Sequence, residues 1–253
     1  MRLLPLLFLA LAFPASGAEL RLVADEWFPY NGRPGAPNEG YMIDLARRIA
    51  ADAGERVEYR TLDWRRALEE VRAGRADCAV GANHGDTDDL LFPVEPWGRS
   101  VNAFFVRNES HWNFRAIDEL KRVRLGVVDA YSYGPRIDAY LKSPTHGTVV
   151  RITDSRHGLA AAFAQLFAKK VDVVVDDKAV ALALIDSMDL RGRVRLAGDS
   201  GEGLDIFLAC SPALPTSAAW VRRFDDGVRR LRDNGGLAKI LKPYGLTDWI
   251  IAK

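Results

Sequence analysis

Two adjacent carboxylates end a short apolar run at residues 171–178, whose sequence is VDVVVDDK. A continuous run of about four to eight apolar residues is typical of a strand that is buried on both faces. Parallel strands of this kind bind ligands at their carboxyl ends. We therefore predict that Asp176 and Asp177 face a cleft, where a carboxylate can bind a cationic group through charge-assisted hydrogen bonds.

The same pattern occurs once more upstream, at residues 71–81, with the sequence VRAGRADCAVG. Each copy, at 71–81 and at 166–176, contains the end of a helix, a basic or glycine break, an Asp and an apolar strand, and a polar loop follows. One arrangement used twice predicts two similar lobes with a cleft between them.

A third acidic segment, DEWFPY at residues 25–30, follows an apolar run at 20–24. Its aromatic and proline residues predict a rigid wall beside the cleft. Acidic residues are expected to rim the cleft from both sides, and their field favours a cationic or amine-bearing ligand. The alternative that these are ordinary solvated acids stays open. The predicted rim consists of Asp25, Glu26, Asp86, Asp88, Asp89, Asp176 and Asp177.

Alternating strands and helices must position these residues. Apolar spacing predicts strand, helix, strand, helix, strand from residue 20 to residue 81, which is an α/β lobe. A second alternation follows from 101 to 196. A return strand at 204–210 and an amphipathic helix at 216–232 complete the chain.

Composition and the N-terminal segment limit the functional classes. The chain has 253 residues and 48% hydrophobic content, enough for one large or two small cores. Residues 1–18 have the charge, apolar run and small residues of a cleaved signal peptide. Removing Arg2 lowers Lys+Arg from 35 to 34 against 34 acidic residues, so the mature chain is about neutral. This balance argues against nucleic-acid or anionic-membrane partners.

Export without further anchoring is the expectation. No other stretch is long and apolar enough to cross a membrane, and no Cys lies at the cleavage site to carry a lipid. A periplasm is therefore the expected location. No metal-ligand or nucleophile cluster occurs in the sequence, so we expect no cofactor.

Several short motifs, taken in order, resemble the family of periplasmic solute-binding proteins for polar amino acids, family 3, over essentially the whole mature chain. The resemblance implies a two-lobed periplasmic binding protein of type II, in which each lobe is a mixed sheet flanked by helices and two strands cross between the lobes. The motifs are WFPY at 27–30, GYMIDL at 40–45, DW at 63–64, GRAD at 74–77, PW at 96–97, the run 171–177, and the segments NG at 234–235 and YG at 244–245.

The resemblance also implies domain boundaries, a function and partners. Lobe one would comprise 19–104 plus 204–253, and lobe two 105–203. The protein would be a monomer that captures a small polar solute by hinge closure and delivers it to a membrane ABC permease. An enzyme similar to cyclohexadienyl dehydratases, or a periplasmic sensor or accessory subunit, remains the alternative.

Individual site residues follow from the resemblance. Trp27 matches an aromatic residue that stacks on the ligand, and Tyr30 belongs to the same motif. Asp177 matches the carboxylate that binds the ligand's amino group, and its alternative is an N-cap. Backbone donors at a helix start match Ser132, Tyr133 and Gly134, with an ordinary N-cap as the alternative. Asn83 and His84 lie in the predicted loop. In the enzyme alternative His84 is a candidate for catalysis, and Asp177 or Glu26 could serve as the acid.

The chain departs from the family pattern at one position. Amino-acid binders of the family place an Arg after the third strand to bind the ligand's α-carboxylate. This chain has Asp89 or Leu90 there, and a carboxylate repels another carboxylate. The sequence therefore does not predict a standard amino acid in the standard pose. Arg99 is a possible substitute, with a surface role as its alternative.

The two cysteines, Cys78 and Cys210, have no metal-binding spacing. In the implied topology the third strand and the return strand are antiparallel neighbours, so the two thiols could form a disulfide. Two separate buried thiols are the alternative.

Overall fold

The computed structural model describes residues 19–153 and 157–250. The predicted signal peptide, residues 1–18, lies outside the described residues. The strands are β1 (Glu19–Ala24), β2 (Arg56–Thr61), β3 (Cys78–Ala82), β4 (Gly98–Arg107), β5 (Leu125–Val128), β6 (Val149–Ile152), β7 (Val173–Asp177) and β8 (Val194–Cys210). The α-helices are α1 (Tyr41–Asp52), α2 (Trp64–Arg72), α3 (Pro135–Lys142), α4 (Gly158–Phe167), α5 (Lys178–Ser187), α6 (Ser217–Asp233) and α7 (Gly236–Leu241).

The strands form a mixed sheet in the order β2-β1-β3-β8-β4-β7-β5-β6. Parallel pairs lie at the two ends, where β1 pairs with β2 and β3, and β5 pairs with β6 and β7. The long strands β4 and β8 pair antiparallel with each other and join the two halves. We call the half with β1, β2 and β3 lobe one, and the half with β5, β6 and β7 lobe two. The predicted two-lobed α/β class is confirmed.

The lobe boundaries that the sequence predicts, 104/105 and 203/204, fall inside β4 and β8. Both long strands cross between the lobes, as expected for crossing strands. The exact positions at which the chain would bend stay a prediction.

Helices cover both faces of the sheet because strands such as β3, β5 and β7 have buried side chains on both faces. One core cluster extends from lobe one to lobe two and includes Leu22, Leu45, Phe224, Phe163 and Val174. A second cluster packs on the opposite face of lobe two, and a third on the opposite face of lobe one. Burial of this apolar surface is the main favourable contribution to folding. None of the helices in the described part of the chain combines the length and apolar character needed to span a bilayer.

Two of the differences from the predicted strands lie near the cleft. The predicted strands 194–196 and 204–210 are one continuous strand, β8, because pairing with β4 continues through the polar residues between them. The strand predicted at 171–175 is β7, which starts and ends two residues later. Asp176 and Asp177 are therefore the last residues of the strand and not the start of a loop.

Cys78 and Cys210 form a disulfide. The two residues are directly opposite each other in the antiparallel pair of β3 and β8, and both are fully buried. The bond joins the first and last segments of lobe one across a sequence separation of 132 residues.

Candidate functional site

A tight turn after β1 positions the first two functional side chains. The buried Asn31 donates from Nδ2 to the carbonyl oxygen of Asp25 at 2.7 Å, and the Trp27 N–H donates to the carbonyl oxygen of Asn31 at 2.7 Å. Gly40 packs against this turn, where an added Cβ would lie 2.5 Å from the Tyr30 carbonyl oxygen. Hydrogen bonds within the turn and packing by Gly40 thus fix its conformation. Asp25 lies directly after the carboxyl end of β1.

The polar loop after β3 supplies a second carboxylate, that of Asp86. Its Oδ2 accepts from the Asn83 N–H at 2.8 Å within the same loop. Its Oδ1 accepts from the Ser132 N–H at 3.0 Å, and Ser132 lies before α3 in lobe two. Asp86 therefore connects the two lobes through a backbone donor.

The third carboxylate, Asp176, comes from the end of β7 in lobe two and is only 1% exposed. Its Oδ1 accepts from Trp27 Nε1 at 3.2 Å and from the Asp177 N–H at 2.7 Å. Its Oδ2 is buried and has no hydrogen-bond partner among the described residues. A buried polar atom without a partner is unfavourable and uncommon in native proteins, so it needs an explanation.

These carboxylates line one small cavity between the lobes, with a volume of about 30 Å³. Their strands meet here at their carboxyl ends, which is where α/β sheets bind ligands. None of the described residues on the cavity wall is a Lys, Arg or His. The wall consists of Asp25, Trp27, Trp64, Val80, Gly81, Asn83, Asp86, Ser100, Asn102, Tyr131, Ser132, Tyr133, Asp176, Leu204 and Ile206.

Burial raises the pKa of Asp25, Asp86 and Asp176 to about 7 each, because the ionised form loses its hydration. Hydrogen bonds oppose the shift only in part. The Tyr131 hydroxyl donates to Asp25, the Ser132 and Asn83 amides donate to Asp86, and the Trp27 indole donates to Asp176. Near pH 7 the cavity therefore contains partly ionised carboxyls, and none of the described residues on its wall carries a positive charge.

The structure places five of the eight predicted ligand-binding residues on the cavity wall, namely Asp25, Trp27, Asn83, Ser132 and Tyr133. It places the other three elsewhere. Tyr30 lies behind Trp27, with the two rings stacked at a centroid distance of 4.4 Å. His84 lines a separate surface groove and packs against Phe92 at 4.2 Å.

Asp177, the third of these residues, acts as the N-cap of α5. Its Oδ1 accepts from the Val180 N–H at 2.9 Å, which is the alternative that the sequence left open. Its Oδ2 accepts from Ser100 Oγ at 2.8 Å and from the Tyr30 hydroxyl at 3.2 Å. Adjacent residues of a strand point to opposite faces, so Asp176 faces the cavity and Asp177 does not.

Replacing Asp177 by Ala is expected to lower the free energy of unfolding by about 1–3 kcal/mol, because the cap is lost and two buried hydroxyls lose an acceptor. Urea unfolding measures the loss. Asp63→Ala is the matched control, because Asp63 caps α2 through the Arg66 N–H at 3.0 Å and makes no buried contact of this kind. Equal losses in the two variants would show that Asp177 is only a cap.

The backbone donors predicted to bind an anion before α3 already have acceptors. The Ser132 N–H donates to Asp86, and the Tyr133 N–H donates to Asp138 Oδ1 at 2.8 Å. The Ser132 hydroxyl donates to Asp138 Oδ2 at 2.6 Å. Carboxylates of the protein itself therefore occupy the predicted anion site.

The remaining charged residues of the predicted rim lie outside the cavity. Asp88 is exposed, and Asp89 pairs with Arg72 at 2.8 Å. Arg99, the possible substitute for the missing arginine, is also exposed and is not on the cavity wall. At the mouth of the cleft Arg65 pairs with Asp129 at 2.7 Å.

Sequence reasoning did not assign Trp64, Asn102 or Tyr131 to the site, and it placed Asp86 only on the rim, whereas it predicted that Asp176 faces the cleft. The positions of Trp64 and Tyr131 could have predicted them, because each lies shortly after the carboxyl end of a strand. Asn102 carried none, because it lies within β4 among apolar residues. Across the described residues, no group of three or more His, Cys, Asp or Glu side chains is arranged to hold a metal ion.

Sequence comparison gives one family. The family model of bacterial extracellular solute-binding proteins, family 3, matches residues 21–247. No sequence among the curated proteins matches the chain.

Solved structures with the same fold have different activities. An ancestral arginine-binding protein bound to arginine is 20% identical, with a TM-score of 0.74 over 90% of this chain and 99% of that chain. A histidine kinase sensor domain similar to periplasmic binding proteins is 20% identical, with a TM-score of 0.75 over 90% and 96%. An ancestral amino-acid-binding protein, a precursor of cyclohexadienyl dehydratase, is 15% identical, with a TM-score of 0.71 over 90% and 95%. At these identities the likeness shows the fold alone.

Proposed function

The chain belongs to family 3 of the bacterial extracellular solute-binding proteins, and from this membership we propose that it captures a small amine-bearing solute between its two lobes. We propose that the protein delivers the captured solute to a membrane permease of the ABC type. Family membership alone does not specify an amine. The proposed amine rests on one observation, the carboxylate oxygen of Asp176 in the cavity that has no partner among the described residues.

An ammonium group supplies what this cavity lacks. It carries a positive charge and three donors, and it has no acceptor. Asp25 and Asp86 approach from lobe one and Asp176 from lobe two, so a bound ammonium would contact both lobes. A ligand that touches both lobes favours the closed arrangement by its differential affinity.

Direct hydrogen bonds already hold the two lobes together across the cleft. Trp27 bonds to Asp176 and the Ser132 amide bonds to Asp86, as described above, and the Tyr131 hydroxyl donates to Asp25. We propose that the lobes open about β4 and β8 to admit the solute, and that the solute adds to these contacts when they close.

Isothermal titration calorimetry with a panel of small solutes tests the proposed ligand class. Primary amines should release or absorb heat and raise the melting temperature, because a ligand that binds only the folded state stabilises it. Tight binding of acidic or neutral amino acids, combined with no response to any amine, would contradict the proposal.

We propose capture without chemical conversion. His84, the catalytic candidate of the enzyme alternative, lies outside the cavity against Phe92 and Phe207. A bound amine should therefore be recovered unchanged after prolonged incubation, as mass spectrometry would show. Recovery of a converted product would favour the enzyme alternative.

We propose the periplasm as the location, a monomer as the working form and a permease as the partner, with no nucleic-acid partner and no direct membrane insertion. Release by osmotic shock tests the location, and co-purification with membranes would contradict it. Size-exclusion chromatography with light scattering tests the monomer. A partner that is a signalling protein and not a permease would favour the sensor alternative.

Amine affinity is expected to rise as the pH increases from 6 to 8. A carboxyl with a pKa of about 7, such as Asp25, Asp86 or Asp176 in the empty cavity, is about one-tenth ionised at pH 6 and about nine-tenths ionised at pH 8. The amine stays protonated throughout this range. Each carboxyl that must ionise to pair with the ligand therefore contributes about tenfold in affinity.

Calorimetry at pH 6, 7 and 8 in two buffers with different ionisation enthalpies measures both the affinity and the number of protons released. His157, whose Nδ1 lies 3.7 Å from Glu26 Oε2 outside the cavity, is the matched control. A His157→Gln variant should keep the pH dependence. An affinity that is constant or falls with rising pH would contradict the assignment of the three carboxyls to the ligand.

A further inference from the structure

We infer that the cavity selects a small organic amine that carries no carboxylate group, because the carboxylate of Asp86 occupies the cavity's own anion-binding position. The inference rests on the proposed function and narrows it from amine-bearing solutes in general to amines without an acid group.

The anion-binding position is defined by two backbone donors that converge from opposite lobes. The Asn83 N–H lies in lobe one and the Ser132 N–H in lobe two. Their distances to Asp86 Oδ2 and Oδ1 are 2.8 Å and 3.0 Å, so each carboxylate oxygen receives one amide. A ligand carboxylate could use these donors only by displacing Asp86, which is joined to the same loop.

Three other side-chain donors on the wall, those of Asn102, Ser100 and Trp27, are also engaged by acceptors of the protein. Asn102 Nδ2 donates to the Tyr133 carbonyl oxygen at 2.9 Å, and Ser100 Oγ donates to Asp177. Trp27 Nε1 donates to Asp176. A ligand carboxylate would therefore find these three donors already engaged and would lie close to the acceptors that they bond to.

The unsatisfied group in the cavity is an acceptor. Asp176 is 1% exposed, and its Oδ2 has no hydrogen-bond partner among the described residues. Asp25, 5% exposed, and Asp86 add two more carboxylates to the same wall. This arrangement suits a ligand that only donates hydrogen bonds and is positively charged, and it disfavours a zwitterion, whose acid group would lie near three carboxylates.

Three arginines line the groove at the mouth of the cleft, and all three have acidic partners, with Arg151 lying 4.0 Å from Asp129. Arg65 pairs with Asp129, and Arg72 pairs with Asp89 while also donating to Thr87 at 3.1 Å. A long zwitterion that reached this mouth would have to compete with these ion pairs. The experiment therefore includes amino acids whose amine is distant from the carboxylate.

Matched pairs that differ only by the carboxylate provide the test. The pairs are 1,5-diaminopentane and L-lysine, 1,4-diaminobutane and L-ornithine, 4-aminobutylguanidine and L-arginine, histamine and L-histidine, and 2-aminoethanol and L-serine. Calorimetry at pH 8 is expected to show at least one amine that binds and is preferred over its amino acid by at least about tenfold. Calcium and magnesium chloride are included as inorganic cations.

The outcomes separate the inference from the proposed function. If an amino acid binds as tightly as its amine, the inference fails and the proposed function stands. If no compound with an amino group binds, or if only calcium or magnesium binds, both fail. Preference for the amine supports both.

A variant at Asp86 tests the reason for the selectivity. Asp86→Ala frees the Asn83 and Ser132 amides and removes one negative charge, so the preference for the amine should fall by at least about tenfold. Asp86→Asn, which retains the shape of the side chain, should also lower the preference for the amine. This variant replaces Asp86→Ala in the test if the Ala variant does not fold. Asp88→Ala is the control, since Asp88 is exposed in the same loop. An unchanged preference in both Asp86 variants would overturn the inference.

Discussion

Replacing Asp176 by Asn is expected to weaken amine binding by about 30- to 5,000-fold, which corresponds to about 2–5 kcal/mol for the loss of one charge from a buried ion pair. Asn retains an oxygen that can accept from Trp27 Nε1 and from the Asp177 N–H. The position of the side chain should therefore be kept, and the main loss is the charge on the unpartnered Oδ2.

The same variant is expected to be at least as stable as the wild type without ligand. Burial raises the pKa of Asp176 to about 7, which means that its ionised form is unfavourable in the folded protein. Its contribution to stability is therefore full at low pH and is lost as the pH rises toward about 7. The Asn side chain does not ionise, so Asp176→Asn avoids this loss of stability at high pH. The melting temperature of the variant should therefore exceed that of the wild type by more at pH 8 than at pH 5.

Affinity and stability thus change in opposite directions, which a purely structural role would not produce. Asp189→Asn is the control, since Asp189 is an exposed residue of lobe two in a left-handed conformation that Asn tolerates equally well. Calorimetry and thermal unfolding measure both quantities. If Asp176→Asn binds amines like the control, Asp176 has no part in binding.

Reducing the Cys78–Cys210 disulfide is expected to lower the free energy of unfolding by about 2–5 kcal/mol, since the bond closes a loop of 132 residues. The bond restricts the unfolded chain by joining the first and last segments of lobe one. Urea unfolding with and without a reducing agent measures the difference. Because both residues are fully buried, reduction should be slow in the native protein and fast after unfolding.

A double variant, Cys78→Ala with Cys210→Ala, provides the control, because a reducing agent should not change its stability. The sulfur atoms belong to the core cluster and not to the cavity wall, so the affinity for amines should stay within about threefold of the wild type. A reduced protein as stable as the oxidised one would show that the bond contributes nothing to stability.

The sequence alone was sufficient for the fold class and for the general position of the site. A strand or helix that buries one face must show a local periodicity of apolar side chains. Such patterns are the apolar runs at 20–24 and 171–175 and the amphipathic spacing at 41–53. Acidic residues after apolar strands predicted a cleft with a negative field. The missing arginine near Asp89 already argued against an ordinary amino acid in the standard pose.

Other features could not be predicted from local patterns. In β7 every residue is buried, so no alternation indicates which of Asp176 and Asp177 faces the cleft. The polar residues in the middle of β8 concealed that it is one strand, since its pairing with β4 depends on contacts distant in sequence.

The types of the residues and their order along the chain thus determined that this protein has two α/β lobes and an acidic cleft. Only the tertiary structure decided that Asp176 faces the cavity, that Asp177 caps α5, and that Asp86 accepts from the Ser132 amide before α3. These roles depend on strand register and on contacts between the lobes. Both join residues that are far apart in the chain, and no local spacing records them.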